Sequence, residues 1–204
     1  MQSKQCYIFA QITNIKKEME KIKRVQKGVL KTSQEIDIDI LLEHLETLDL
    51  SKNDNLNFWF YCRIGIATGL RSIDILEMKV SDIDFVNNKF TLIEKKTKKR
   101  VTAPIKREIL DKINKSNTYV IWNEKYKTNV SVMTINRRLK KIFNTCNNVS
   151  SHSIRKASAK RIYIRTKNDI IKAMIFLNHS SPVMTKNYLG ITQDEKYSLY
   201  SLID

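Results

Sequence analysis

Residues 55–71 read NLNFWFYCRIGIATGLR. From Leu56 to Ala67 apolar side chains occupy almost every position, so a helix built here has no polar face and must be covered on all sides. We therefore expect a buried central helix over about 55–67, stopped at Thr68-Gly69, where glycine accepts the left-handed backbone that closes a helix. The rest of the chain has to supply the cover. Thr32-Ser33-Gln34-Glu35 has capping-box spacing and predicts a helix from Thr32 to about Leu48. Ser72–Lys79 reads as a short helix, and further helices are expected near 105–115, 131–146, 151–165, 168–177, 182–188 and 193–202. Between them the period changes to two: Phe85-Val86, an Asn87-Asn88 turn, KFTLIE, a polar KKTKK tip and RVTAPI predict a small antiparallel sheet with a lysine-rich hairpin. The expected fold class is α+β, mostly α-helical. Residues 4–27 read as a basic amphipathic helix stopped by Gly28. This places a boundary near Leu30, with a basic arm over 1–31 and a main domain over 32–204 that ends in an amphipathic tail from about 190.

A length of 204 residues is enough for one large domain plus an arm. No run of apolar residues approaches the roughly 18 needed to span a bilayer, and no signal peptide is recognisable, so a soluble, cytoplasmic protein is expected. Three scattered cysteines form neither a disulfide framework nor a CxxC pair. The formal charge is +16, from 37 Lys and Arg against 21 Asp and Glu. It is uneven: residues 1–31 carry +6 (eight basic, two acidic), residues 32–94 carry −7 (five against twelve) and residues 95–204 carry +17 (24 against seven). Such a field concentrates polyanions, and nucleic acid is the commonest one inside a cell. A lysine-rich solvated surface would produce the same balance, and charge does not separate a binder from an enzyme.

Three settings could carry chemistry. Arg is scarce, 10 against 27 Lys, and its planar fork grips phosphate oxygens two at a time. Arg71 follows the ATGL turn inside the acidic segment, so general basicity does not account for it; the plain alternative is an ion pair with Asp74 or Glu77. In SSHSIRKASAKR, His152 and Arg155 share one helical face, setting an imidazole beside a permanent cation. In LNHSSPVMTKNYLG, His179 precedes Tyr188 by nine residues, with Pro182 opening the helix between them. Taken singly, each also fits a surface pair or a buried tyrosine with a satisfied hydroxyl.

Their order resembles the catalytic domain of the tyrosine recombinase (phage integrase) family, over about Thr32 to Leu199. The family's first box is a TGLR-like turn with an acid three residues on, matched by Thr68-Gly69-Leu70-Arg71 and Asp74. Its hairpin lysine lies eight residues before a proline, matched by Lys96 and Pro104; Lys95, Lys98 and Lys99 occupy the same tip and compete for that position. Its HxxR box is matched by His152 and Arg155, and its LGHSS box with a later tyrosine by Leu177-Asn178-His179-Ser180-Ser181 and Tyr188. Asn178 stands where the family usually has Gly, and Asn also tolerates left-handed backbone. The 31 preceding residues are too few for the helical core-binding domain of most members, so a minimal or a truncated recombinase is expected.

The resemblance implies cleavage of double-stranded DNA through a 3′-phosphotyrosine link. Tyr188 is then the nucleophile, Arg71 and Arg155 clamp the non-bridging oxygens, and His179 donates to them. Lys96 protonates the leaving 5′ oxygen, His152 takes the tyrosine proton, and Asp74 orients His152 or Arg71 from behind. No metal and no cofactor are implied. Lys98, Lys99, Arg100, Arg137, Arg138, Lys140, Lys141, Lys156, Lys160 and Arg161 are candidate phosphate contacts, each of which could equally be a solvated face. A homo-tetramer on paired DNA sites, in a prokaryote, phage or mobile element, is expected, with no membrane partner. The alternatives are a type IB topoisomerase, which usually has Lys where this chain has His152, and a non-catalytic DNA-binding regulator derived from a recombinase.

Overall fold

A computed structural model describes residues 33–146 and 148–191. The expected basic helix over 4–27 and the tail over 193–202 lie outside the described residues. The central helix, α2 (Asn53–Thr68), is sheathed as its composition requires: Phe58, Trp59, Phe60, Tyr61, Cys62 and Ile64 are all buried. Gly69 closes it at φ 60° and donates its N–H to Gly65 O at 2.9 Å. Asn57 is the polar exception. It donates to Trp122 O at 2.8 Å and accepts from Trp122 N at 3.0 Å, so its burial pins a distant strand to the helix.

The helix before it starts later than the sequence suggests. α1 spans Ile38–Glu46, and its cap is Asp37, whose Oδ1 accepts from the N–H groups of Asp39 and Ile40. Ile36 and Ile38 are both buried, and Gln34 N donates to Asn148 O at 2.8 Å, so residues 34–37 pack on the domain without joining the helix. Glu35, the expected capping-box acid, instead reaches Lys160 at 2.9 Å.

After α3 (Ser72–Leu76) comes a three-stranded antiparallel sheet in the order β1 (Ile83–Asp84), β2 (Lys89–Ile93), β3 (Arg100–Pro104). Phe90 pairs with Ala103 and Leu92 with Val101, and the inward positions Phe90 and Leu92 are buried. The hairpin tip turns with Lys98 at φ 59°, doing the work usually left to glycine. The helix expected over 105–115 is only α4 (Arg107–Leu110); past it, single turns bury Ile113 before Asn114 caps a bend through Ser116 N. A two-residue ladder of β4 (Trp122–Asn123) and β5 (Thr128–Asn129) had no periodicity to announce it.

The remaining helices follow the sequence closely. α5 is Val132–Ile142, α6 Ser151–Arg165, α7 Ile170–Phe176 and α8 Pro182–Leu189. Serine or aspartate caps each: Ser131, Ser150, Asp169 and Ser181. α6 packs along α2 on one side and on α7 and α8 on the other. A second apolar cluster of Ala159, Ala173, Leu177 and Leu189 holds this last trio together, with Tyr188 at its edge. The class is the mostly helical α+β expected.

Candidate active site

Two guanidinium groups are delivered by the turn after α2 and the first turns of α6. Arg155 is 4 % exposed. It donates to Gly69 O and, at 2.8 Å, to Leu177 O, tying the α2 turn to the end of α7. Arg71 sits at the N-cap of α3 and is held by Glu94, Nη1 to Oε1 at 2.5 Å. The sequence offered Asp74 or Glu77 as its partner, and the observed partner is neither. Glu94 is 0 % exposed at the end of β2, and its other oxygen accepts from the Thr97 hydroxyl and, at 2.9 Å, from Asn178 Nδ2. Sequence reasoning missed this residue. The signal was available, because Phe90, Leu92 and Glu94 share the inward face of an alternating strand, and an acid in that register has to be paired.

Asp74 does not act as expected either. Its Oδ1 accepts from Lys95 N at 2.8 Å, so it anchors the hairpin main chain rather than His152 or Arg71; Oδ2 has no hydrogen-bond partner among the described residues. Burial pushes its carboxyl above the ordinary range, an effect partly offset by the Lys95 N–H. The hairpin lysines now separate. Lys95 Nζ is tied to Glu77 at 2.7 Å, which raises its pKa. Lys99 Nζ reaches Asn178 O at 3.4 Å. Lys96 lines a cleft of about 390 Å³ together with Arg71 and His152, walled by Ile73, Leu76 and Val132.

His152 stands in the first turn of α6 and lines that cleft. Burial, then Arg155, Arg71 and Lys96, lower its pKa, so it is neutral near neutral pH and free to accept a proton. His179 follows Asn178, whose φ of 52° is the left-handed backbone anticipated at that position. Its pKa is pushed down to about 4 by burial first and by Arg155 and Arg71 next. Nδ1 lies 3.1 Å from Thr185 Oγ1, and Nε2 lies 3.5 Å from Arg155 Nη2. Arg155 has only donors to offer, so Nε2 is the acceptor and the proton belongs on Nδ1. An arriving phosphate favours a proton on Nε2, supplied either by the doubly protonated ring or by the neutral tautomer in which Thr185 Oγ1 donates to Nδ1.

Tyr188 lies on α8, edge-on to the His179 ring with centroids 5.5 Å apart and with the Arg155 guanidinium 6.0 Å from its own centroid. Its hydroxyl donates to His152 O at 3.5 Å, a long bond, and the Arg155 side chain also reaches the phenol oxygen. Burial raises its pKa, while Arg155 and Arg71 oppose the shift by favouring the phenolate. Thus the fold gathers Arg71, Arg155, His152, His179 and Tyr188 from three parts of the chain, with Lys96 on the wall of the adjoining cleft.

The candidate phosphate contacts divide. Lys98, Lys99 and Arg100 are exposed on the hairpin, and Arg137, Lys140 and Lys141 on α5; Lys156 is half-buried on α6. Arg138 is engaged within the fold, donating to Asp54 O at 3.0 Å and Asn55 Oδ1 at 2.6 Å, and lying 4.4 Å over the Phe58 ring. Lys160 and Arg161 pair with Glu35 and Asp39. Among the described residues no three His, Cys, Asp or Glu side chains form a metal-ligand group, and no helix is long and apolar enough to cross a membrane.

The helical layers around α2, the β hairpin and the ordered Arg, HxxR and Tyr segments define the catalytic domain of a tyrosine-type site-specific recombinase. The model for the phage integrase family matches residues 31–195, and the chain belongs to that family. It is 31 % identical over 157 residues to YoeC, a probable integrase/recombinase of Bacillus subtilis, covering 74 % of this chain and 86 % of the relative. A probable integrase/recombinase of Acholeplasma phage L2 is 25 % identical over 173 residues, 80 % of this chain and 58 % of that protein. Among solved structures, the XerH recombinase bound to its difH substrate superposes with a TM-score of 0.61 at 18 % identity, covering 82 % of this chain and 53 % of that one. A lambda integrase dimer bound to a core site gives a TM-score of 0.60 at 23 % identity, covering 77 % and 59 %. The chain thus spans somewhat over half the length of these two solved recombinases.

Proposed function

We propose that this chain cleaves and rejoins double-stranded DNA at specific sites through a 3′-phosphotyrosine intermediate. The observation that carries the proposal is the convergence of Arg71 and Arg155 with Tyr188, where two fixed cations face a tyrosine hydroxyl and favour its phenolate. The Tyr188 oxygen attacks the scissile phosphorus and its proton passes to neutral His152. The bond from phosphorus to the 5′ oxygen breaks, and Lys96 delivers a proton to that oxygen. Arg71, Arg155 and the Nε2–H of His179 hold the non-bridging oxygens as charge builds in the five-coordinate state. Attack by a 5′ hydroxyl on the phosphotyrosine reverses the sequence and releases Tyr188, so the bond energy is conserved without ATP. Because guanidinium and ammonium groups meet the phosphate charge, the scheme needs no metal.

The exposed cations of the hairpin and of α5 supply sequence-independent grip on the backbone. A DNA-bound homo-oligomer is part of the proposal, supported by the lambda integrase tetramer found on a Holliday junction, as is action on the DNA of a phage or other mobile element within the cytoplasm. His152, where a topoisomerase of this chemistry usually has Lys, favours recombination over relaxation. The test is a nicked suicide substrate: wild type is expected to leave an SDS-resistant covalent adduct and Tyr188→Phe none. Equal adduct from both proteins would end the proposal.

A further inference from the structure

A carboxylate shut away from water is costly unless every oxygen is paired. Glu94 is 0 % exposed and meets that demand with three donors from three different parts of the site. Arg71 Nη1 comes from the turn after α2, the Thr97 hydroxyl from the tip beside Lys96, and Asn178 Nδ2 from the loop beside His179. Its main chain also closes the hairpin, donating to Lys99 O and accepting from Lys98 N, each at 2.9 Å. Asp74, the nearby acid, spends Oδ1 on Lys95 N and its Oδ2 makes no hydrogen bond among the described residues, so the bond to Arg71 comes from Glu94.

We propose that Glu94 is a positioning residue for the phosphate site. It holds Arg71 by one nitrogen, leaving the remaining donors for a phosphate oxygen, and it joins the Lys96 hairpin to the His179 loop. The inference rests on the recombinase reading. A guanidinium close to Arg155 and Lys96 has reason to swing away before DNA arrives, and a buried anion at 2.5 Å prevents this. Asn178 gains a second task here. It provides both the left-handed backbone and the amide that reaches Glu94, and a glycine could provide only the first.

Glu94→Gln keeps an oxygen for Arg71 but removes the negative charge that holds the guanidinium, and Asn178 must turn its Oδ1 to meet the new amide. Combining it with Asn178→Asp sets a carboxylate opposite that amide and keeps the cluster's charge. Cleavage of the suicide substrate under single-turnover conditions is expected to slow on the order of 10²-fold in Glu94→Gln, the cost of a misplaced clamp. DNA affinity, carried by many other phosphate contacts, should move within about threefold. The double variant should recover about tenfold of the rate, since Asn178→Asp returns a negative charge to the cluster that holds Arg71. Asn178→Gly, which keeps the backbone unstrained, tests the same link without threatening the fold and should slow cleavage about three- to tenfold. A substrate with a neutral methylphosphonate at the cleavage point gives Arg71 no anionic oxygen to meet, so Glu94→Gln should lose far less on it. Wild-type adduct with unimpaired Glu94→Gln would overturn the positioning role alone. A loss equal on both substrates and unrecovered in the double variant would also overturn it, being the mark of general damage. Absence of adduct from wild type would overturn the recombinase reading, and the positioning role with it.

Discussion

Replacing Gly69 with alanine should reach from the fold to the site in one step. Gly69 has φ 60°, and a methyl group there would lie 2.5 Å from Cε1 and 2.8 Å from Cζ of Phe176. Left-handed backbone costs an L-residue about 1–2 kcal/mol. Forcing a packed ring aside costs about 1–3 kcal/mol more. Together these give roughly 2–5 kcal/mol, which in a domain of this size lowers Tm on the order of 10 °C. The chemistry suffers separately, because Gly69 O accepts from Arg155 and Arg71 is two residues further on. A shift of about 1 Å in both guanidinium groups is worth on the order of 10² in cleavage rate. The assay pairs thermal unfolding with single-turnover cleavage, in the wild-type and Phe176→Ala backgrounds. Removing the ring takes away the clash but not the strain, so Gly69→Ala should then cost only about 1–2 kcal/mol. A Gly69→Ala protein that loses less than about 1 kcal/mol and cleaves at the wild-type rate would refute the reasoning.

Lys96→Ala should slow cleavage of ordinary DNA by roughly 10²-fold or more but leave a substrate with sulfur in the 5′ bridging position almost unaffected, since a thiolate leaves without a proton. Lys95→Ala, which removes a group already bound to Glu77, should stay within a few-fold on both. Arg138→Ala should lower the urea midpoint by the equivalent of about 1–3 kcal/mol through its lost contacts to Asp54, Asn55 and Phe58. Arg137→Ala should instead spare stability and reduce the salt dependence of DNA binding by about one unit of slope. His179 is held near 4, below its ordinary 6.5, so the unfolded chain takes up this proton first as pH falls; the stability present above about 6.5 is lost progressively toward 4. Urea midpoints measured at about pH 7 and about pH 5 should therefore fall in wild type and fall less in His179→Gln.

The parts legible in the sequence were those with a strong local reason. A helix apolar all round could only be α2, Pro182 marked the start of α8, and the alternation of KFTLIE announced the hairpin strand β2. The six ordered residues of the resemblance were legible for the same reason, since motif spacing is a local property. What stayed hidden depended on partners far along the chain. Thr32 was the cap the sequence offered, but Asp37 caps the helix, and the burial of Ile36 and the Gln34 to Asn148 bond keep residues 34–37 outside it. Arg71 had two nearby acids to choose from and took Glu94, 23 residues away. Arg138 looked like one more cation on a basic helix, yet it packs on Phe58 from across the domain. β4 and β5, two residues each, are too short for any period.

The central claim is that Tyr188 makes the covalent bond to DNA, and mapping the attachment tests it most directly. Adduct from the suicide substrate, trimmed with nuclease and digested with trypsin, releases the peptide NYLGITQDEK, residues 187–196. The account predicts that mass spectrometry finds the residual nucleotide on this peptide, joined through its 3′ phosphate to Tyr188. A nucleotide on any other side chain, or a 5′ linkage at Tyr188, would contradict it.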